Sequence, residues 1–185
     1  SHIHQNYGTP TIHGTMPVNI SKDPSLEEKK SNTTLIAALM GEDLRYPIAP
    51  NPLNKVGDAT GILVGGNLSM LYSICGSASD IETRGKILFI EDLDEYLYHI
   101  DRMMMNMKRT GKLEDLAALV VGGMSDMNDN AIPYGKTAEE IILEHTAGFN
   151  YPIYFGFQAG HQKPNLAMRF GMKAEIKDNQ LFLPA

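Results

Sequence analysis

The residues of this chain best suited to acid–base chemistry are one histidine and one glutamate. His161 lies in the segment Gly-His-Gln-Lys-Pro-Asn-Leu at 160–166, where the glycine and proline indicate a loop that leaves the imidazole outside regular structure. Glu91 follows the apolar run 87–90, which is typical of a buried strand that ends with an acid at a sheet edge. A nucleophilic hydrolase needs such a base and the acid that orients it. The two residues therefore predict part of a hydrolytic site whose nucleophile is still to be found.

Both residues also have a simpler interpretation. Glu91 could be an exposed loop acid or could cap the helix that follows, a role that Asp92, Asp94 and Glu95 could equally fill. His161 could be a loop histidine that hydrogen bonds to a backbone carbonyl. Residue types alone leave these alternatives open.

No serine or cysteine of the chain has the context of an activated nucleophile. Ser69, Ser73, Ser77 and Ser79 lie outside any Gly-x-Ser-x-Gly elbow, and Ser1 is the chain terminus. Cys75 is the single cysteine, which excludes an internal disulfide framework and predicts a buried structural thiol. The histidines near the start have no acid that would complete a ligand set, so no metal site is predicted.

Paired glycines follow two of the apolar runs. Gly65-Gly66-Asn67 and Gly122-Gly123 stand where a strand passes into the next segment, and glycines there let the backbone turn sharply or approach a ligand. A helix that begins at Asn67 would favour a carboxylate at its N-terminus. Tight turns explain the same glycines equally well.

The elements that must position these residues alternate between strand and helix, which predicts an α/β fold with an antiparallel hairpin at its end. Three prolines in 45–54 predict an irregular linker and a domain boundary there. The predicted strands are 9–14, 59–64, 86–90, 116–121 and 152–157, the predicted helices are 24–40, 67–75, 95–109 and 137–145, and the predicted hairpin is 174–183.

Composition limits the classes of function. The 185 residues suffice for one domain, or one domain with part of another, and their 43% hydrophobic content allows a sizeable core. A net charge of -6 without a basic block argues against nucleic acid and anionic membranes as partners. No apolar run approaches the ~20 residues that span a bilayer. The first residues lack the features of a signal peptide, and Ser1 in place of methionine predicts that the chain begins within a larger protein.

Four segments occur in the order seen in the LD-carboxypeptidases, which the chain therefore resembles. This serine peptidase family includes the murein tetrapeptide LD-carboxypeptidases and the microcin C immunity peptidases. The segments are 65–71, 85–92, 100–103 and 160–166, and 11–17 extends the match toward the start.

The resemblance implies a role for each candidate residue. Glu91 and His161 match the triad glutamate and histidine, and Gly65, Gly66 and Asn67 match a segment near the substrate. The family's Ser-Asp nucleophile motif lies just upstream of the part matched by 7–17, so the serine is expected before this chain. The implied fold is a swivelling β/α-type C-terminal domain at 46–185, preceded by residues 1–45 as the tail of a flavodoxin-like or amidotransferase-like domain.

The activity implied by the resemblance is hydrolysis of an L-to-D peptide bond, such as release of D-alanine from a murein tetrapeptide, with no metal or organic cofactor. Murein recycling would place the protein in the cytoplasm, and the bare face left by the missing half implies a homodimer. A microcin C-type peptidyl-nucleotide immunity peptidase is the family alternative. A non-catalytic binding or structural domain is the alternative from a different class.

Overall fold

The middle of the chain folds into parallel strands because each apolar run is followed by a helix that can cover the resulting sheet. The structure is a computed structural model that describes residues 2–185, so Ser1 lies outside the described residues. Its strands are β1 Thr11–His13, β2 Leu44–Pro47, β3 Ala59–Asn67, β4 Ile87–Leu93, β5 Ala118–Ser125, β6 Ile153–Tyr154, β7 Met168–Phe170, β8 Lys173–Lys177 and β9 Gln180–Leu183. Its α-helices are α1 His2–Tyr7, α2 Leu26–Leu39, α3 Leu68–Ile74, α4 Leu97–Arg109 and α5 Ala138–Thr146.

Seven strands form one mixed sheet in the order β2-β9-β8-β3-β4-β5-β6. Strands β3 to β6 are parallel, whereas β8, β9 and β2 pair antiparallel beside them. Strands β1 and β7 form a separate antiparallel pair. The predicted α/β class and the closing hairpin are confirmed.

The central strands are apolar throughout because both faces of the sheet are covered. On β4, Ile87 and Phe89 belong to one core cluster, while Leu88 and Ile90 belong to the cluster on the other face. Helix α4 adds Met103, Met104 and Met107 to this second cluster, because spacings of three and four residues put them on one face of the helix. Burying each such aliphatic or aromatic side chain contributes about 1.5–3 kcal/mol.

Helices α2 and α5 each begin with a capping box. Ser25 Oγ accepts the Glu28 backbone N–H at 3.2 Å, and the Glu28 carboxylate accepts the Ser25 N–H at 2.8 Å. Thr137 and Glu140 make the same reciprocal pair at the start of α5. Because both caps are local in sequence, their prediction needs no tertiary information.

The predicted irregular linker at 45–54 is wrong in its first part. Leu44–Pro47 is strand β2, whose alternate residues Leu44 and Tyr46 are buried. β2 lies at the edge of the sheet, where a proline is tolerated because one side of the strand needs no ladder partner. The division into domains at residue 46 stays a prediction.

Strands β3 and β5 also continue through the glycine pairs at which they were expected to end. At Gly65 an added Cβ would lie 1.9 Å from the Phe89 carbonyl oxygen, so the two parallel strands approach more closely there than a side chain permits. The glycines therefore allow strand packing rather than a turn.

Residues 2–185 contain neither a helix suited to cross a membrane nor a group of side chains arranged to bind a metal ion. None of the helices in this part of the chain is long and apolar enough to cross a membrane. No group of three or more His, Cys, Asp or Glu side chains in the same range is arranged to hold a metal ion.

Candidate active site

Glu91 stands near the carboxyl end of β4, in the middle of the parallel part of the sheet. It pairs in register with Asn67 of β3, and its side chain is only 1% exposed. In open α/β sheets, ligands bind at the carboxyl ends of the strands. The local sequence thus delivers a buried acid to the edge where a site is expected.

His161 contacts this carboxylate twice. Oε2 of Glu91 accepts the backbone N–H of His161 at 3.1 Å and its ring Nδ1 at 2.7 Å. Donation from Nδ1 fixes the tautomer, so Nε2 carries the lone pair. The ring is 45% exposed, and its Nε2 has no hydrogen-bond partner among residues 2–185. An imidazole held in this way can accept a proton from a nucleophile, which is the geometry of a general base.

The contact between the two residues depends on Gly160. Its φ is +95°, a conformation that side chains rarely adopt. A Cβ at this position would lie 2.6 Å from Cγ and Oε2 of Glu91. Glycine is therefore required for the His161 loop to approach the carboxylate.

The loop that carries His161 is held by its own side chains and by helix α2. Asn165 Oδ1 accepts the Gly160 N–H at 2.9 Å within the loop. The Asn165 N–H donates to Ser31 Oγ at 2.8 Å, and Lys163 Nζ lies 2.9 Å from Glu28 Oε1. Helix α2 thus holds the loop through two polar contacts.

Asn67 forms the corner between β3 and α3. Its Oδ1 accepts the Met70 N–H at 3.1 Å and the Ser69 hydroxyl at 2.6 Å, while its Nδ2 donates to Asp92 Oδ1 at 2.7 Å. Asp92 is buried, and burial raises the pKa of its carboxyl. The amide of Asn67 is therefore occupied by internal contacts, and its predicted contact with substrate stays a prediction.

A cavity of about 910 Å³ opens beside these residues. Its volume lies in the range of small-molecule and peptide sites. All five residues that the sequence nominates line it together: Gly65, Gly66, Asn67, Glu91 and His161. Their convergence is observed, whereas their roles in catalysis and substrate binding stay predictions.

The cavity wall also contains His13, whose position sequence reasoning missed. Its ring lies against Phe89 and Phe170, with both pairs of ring centroids 5.4 Å apart, and within residues 2–185 it joins no metal-ligand set with His2 and His4. The signal that could have found it is the matched segment 11–17, which contains it. Neither composition nor spacing pairs it with Glu91.

The serines of the chain do not complete the site. Ser69 donates to Asn67, and Ser77 donates to the carbonyl oxygen of Ile74, the last residue of α3. Within residues 2–185, no hydroxyl is hydrogen bonded to Nε2 of His161. Ser1 cannot be judged because it lies outside that range. Cys75 is half-buried, and burial raises the pKa of its thiol, which disfavours a reactive thiolate.

Comparison of the amino-acid sequence with known proteins gives one family match and several similar proteins. Residues 60–176 match the sequence model described as the LD-carboxypeptidase C-terminal domain. The chain is 37% identical over 182 residues to a Bacillus subtilis protein named "Probable murein peptide carboxypeptidase", which covers 94% of this chain and 55% of that protein. It is 31% identical over 121 residues to the microcin C7 self-immunity protein MccF of Escherichia coli, covering 65% of this chain and 35% of that protein.

The fold has a counterpart among solved structures. A muramoyltetrapeptide carboxypeptidase from Oxalobacter formigenes superposes with a TM-score of 0.84 and 24% identity, over 96% of this chain and 62% of that one. The chain spans about half the length of the curated relatives that it matches over most of its residues.

Proposed function

This chain belongs to the LD-carboxypeptidase family, and from that premise we propose that it supplies the general base and the orienting acid of a serine-type LD-carboxypeptidase. The observation that carries the proposal is the 2.7 Å contact between Nδ1 of His161 and Oε2 of Glu91, with Nε2 left unpartnered among the described residues. That arrangement is what a base needs before it can take a proton from a hydroxyl.

In the proposed reaction the nucleophile is a serine supplied by a segment that precedes this chain in the full-length protein. Nε2 of His161 takes the hydroxyl proton as the serine attacks the scissile carbonyl carbon, and then gives it to the leaving amine. Water hydrolyses the resulting acyl-enzyme with the same base. Glu91 accepts the Nδ1–H throughout, which keeps the tautomer and stabilises the imidazolium that forms.

The proposed substrate is a peptide that ends in a D-amino acid, such as a murein tetrapeptide that releases D-alanine. Family membership, the name of the Bacillus subtilis relative and a cavity of peptide size support it. Gly66 lines this cavity, and nothing lies within 4 Å of a Cβ built on it, so the backbone there is open to a ligand. Gly65, Gly66 and Asn67 are the proposed contact region.

A second candidate is cleavage of a microcin-like peptidyl nucleotide. It is favoured by the similarity to the Escherichia coli microcin self-immunity protein, which covers 65% of this chain. Because both reactions use the same acyl-transfer chemistry, the Glu91–His161 pair serves either substrate.

The test is to incubate the full-length protein with a murein tetrapeptide and, separately, with a peptidyl nucleotide. We expect D-alanine from the first substrate and loss of that product in the His161→Ala variant. Cleavage of the nucleotide alone would favour the second candidate. Cleavage of neither substrate would favour a non-catalytic binding domain, and D-alanine release that survives in the variant would refute the role of His161.

A further inference from the structure

Three buried polar atoms of residues that line the cavity have no hydrogen-bond partner among residues 2–185: Oε1 of Glu91, Nε2 of His13 and Oδ1 of Asn32. Both contacts from His161 go to the other oxygen of the carboxylate, Oε2. A buried carboxylate oxygen without a donor is costly, so native sites normally provide one. The structure therefore contains an acceptor that needs a donor and an imidazole nitrogen that can provide it.

The two groups lie at the same cavity, which Glu91 and His13 both line. The His13 ring packs on Phe89 at 5.4 Å between centroids and stacks on Phe170 at 5.4 Å with an interplanar angle of 26°. The aromatic pair thus fixes His13 beside the residue two positions before Glu91.

The charge state of His13 suits a donor rather than a second cation. Burial lowers the pKa of His13, and the nearby His161 lowers it further, while Glu91 acts in the opposite direction. The ring is then neutral near pH 7, and a neutral imidazole has one N–H donor and one acceptor nitrogen. Protonation on Nε2 makes that nitrogen a donor, which is the kind of group that Oε1 of Glu91 lacks.

We propose that His13 is a positioning residue for Glu91, with its proton on Nε2 donated to Oε1 of the carboxylate directly or through one water. This rests on the proposed function, in which Glu91 orients the base. The carboxylate is then held at both oxygens, by His161 at Oε2 and by His13 at Oε1. Because such a carboxylate cannot rotate away, the imidazole of His161 keeps its tautomer and direction through the reaction.

The first test uses variants of the full-length enzyme assayed on a murein tetrapeptide. His13→Phe keeps an aromatic ring between Phe89 and Phe170 but removes the donor, and we expect kcat to fall by about 10- to 100-fold with KM within about threefold. His13→Gln returns an N–H at similar reach and should recover a large part of that loss.

The control is His145→Gln, which removes a buried imidazole that pairs with Asp101 at 2.7 Å and does not line the cavity. We expect its kcat within about threefold of the parent enzyme. A His13→Phe variant that raised KM at unchanged kcat would place His13 on the substrate instead of on Glu91. Equal losses in His13→Phe and His13→Gln would show that no hydrogen-bond donor is needed at this position. Either result would overturn the proposal.

The second test needs neither activity nor a variant of His13. Nitrogen-15 NMR of the substrate-free chain should show His13 as the Nε2–H tautomer at pH 7, with a ring N–H signal that moves in the Glu91→Gln variant. Observation of the Nδ1–H tautomer of His13, or of a ring N–H signal that does not shift in the Glu91→Gln variant, would overturn the proposal. If instead D-alanine release survives in His161→Ala, the proposed function fails while the tautomer still reports on the contact between His13 and Glu91.

Discussion

At the scale of single residues, the site depends on one buried carboxylate and the groups packed around it. Glu91 contacts the backbone and the ring of His161. Glu91 also lies so close to Gly160 that no side chain fits at position 160. In the proposed reaction the exposed ring and the buried acid have different roles, because only the ring must reach a reacting atom. Substitutions at these positions should therefore affect turnover more than folding.

In the full-length enzyme, His161→Ala should lower kcat by roughly three to six orders of magnitude, the range seen when triad members are removed. Glu91→Gln should cost less, because a glutamine can still orient the ring in part. A matched control is the half-buried pair at the start of α4 in which Nδ1 of His99 lies 2.9 Å from Glu95 Oε2, since His99→Ala removes a similar contact outside the cavity. A kcat of the His161→Ala variant close to that of the parent enzyme, measured by steady-state kinetics, would contradict the role of His161 as general base.

Gly160→Ala should separate His161 from Glu91. The added Cβ would meet Glu91 at 2.6 Å in a backbone conformation with φ of +95°, so the loop must move. We expect kcat to fall by about 100-fold, since a misplacement of about 1 Å is that costly. Gly135→Ala is the control, because Gly135 has a φ of +83° but open space around it. Equal kcat values for the two variants would show that the close contact is unimportant.

At the scale of elements, helix α2 is the support of the His161 loop. Its side chains Ser31 and Thr34 accept the backbone N–H groups of Asn165 at 2.8 Å and Ala167 at 3.1 Å. These bonds connect a helix near the start of the chain to a loop near its end. The predicted domain boundary at residue 46 separates the helix from the loop in sequence, although they are in contact in space.

Ser31→Ala and Thr34→Ala should each leave a loop N–H without its acceptor and destabilise the chain by about 1–3 kcal/mol. Amide hydrogen exchange should accelerate at Asn165 for the first variant and at Ala167 for the second, because the local opening costs less. Ser73→Ala is the control, since its hydroxyl only donates to the Met70 carbonyl oxygen of its own helix. Unchanged exchange at both amides would show that α2 does not hold the loop.

At the scale of the whole molecule, the described chain contains the Glu91–His161 pair proposed as acid and base, and its outer surface includes apolar side chains. Ile36, Leu39 and Met40 lie on one face of α2 and are 60%, 66% and 72% exposed. An exposed apolar patch of this kind commonly marks an interaction site. The proposed reaction needs a nucleophile from a further segment. Comparing this chain with the full-length protein therefore tests both the need for that segment in catalysis and the tendency of the apolar surface to bind a partner.

The 185-residue chain by itself should release no D-alanine from a murein tetrapeptide. Triad members act as a unit, so a base and acid without the serine retain little of the rate enhancement. The measurement is chromatography of free D-alanine, with the full-length protein as the positive control. Release by the 185-residue chain would mean that the nucleophile lies within it, and Ser69, Ser77 and Ser1 would then be the first positions to replace.

The same chain should form a homodimer through the face of α2 that carries Ile36, Leu39 and Met40. Leu39→Glu puts a charge into that patch and should shift the mass seen by light scattering toward the monomer. Ile132→Glu changes a side chain that is 85% exposed and lies elsewhere, so it should leave the mass unaltered. A monomeric parent chain at micromolar concentration would contradict this expectation.

Features that arise from local spacing can be predicted without knowledge of the fold. The capping boxes at Ser25 and Thr137 form between residues three positions apart, and the apolar run before Glu91 predicts a buried strand wherever the sheet is built. Ordered motifs added the expectation that Glu91 and His161 meet. The caps and the strand follow from interactions between residues close in sequence. The meeting of Glu91 and His161 follows from the resemblance to a family in which the matching residues belong to one triad.

Tertiary structure alone decided the remaining features. Strand β2 exists because β9 supplies its hydrogen bonds, and the strands run through Gly65 and Gly122 because neighbouring backbone approaches them. His13 enters the cavity because β1 pairs with β7, more than 150 positions away, and its ring then packs on Phe89 and Phe170. Such contacts join segments with no regular spacing between them, so no local pattern encodes them, and only the packed chain brings the groups together.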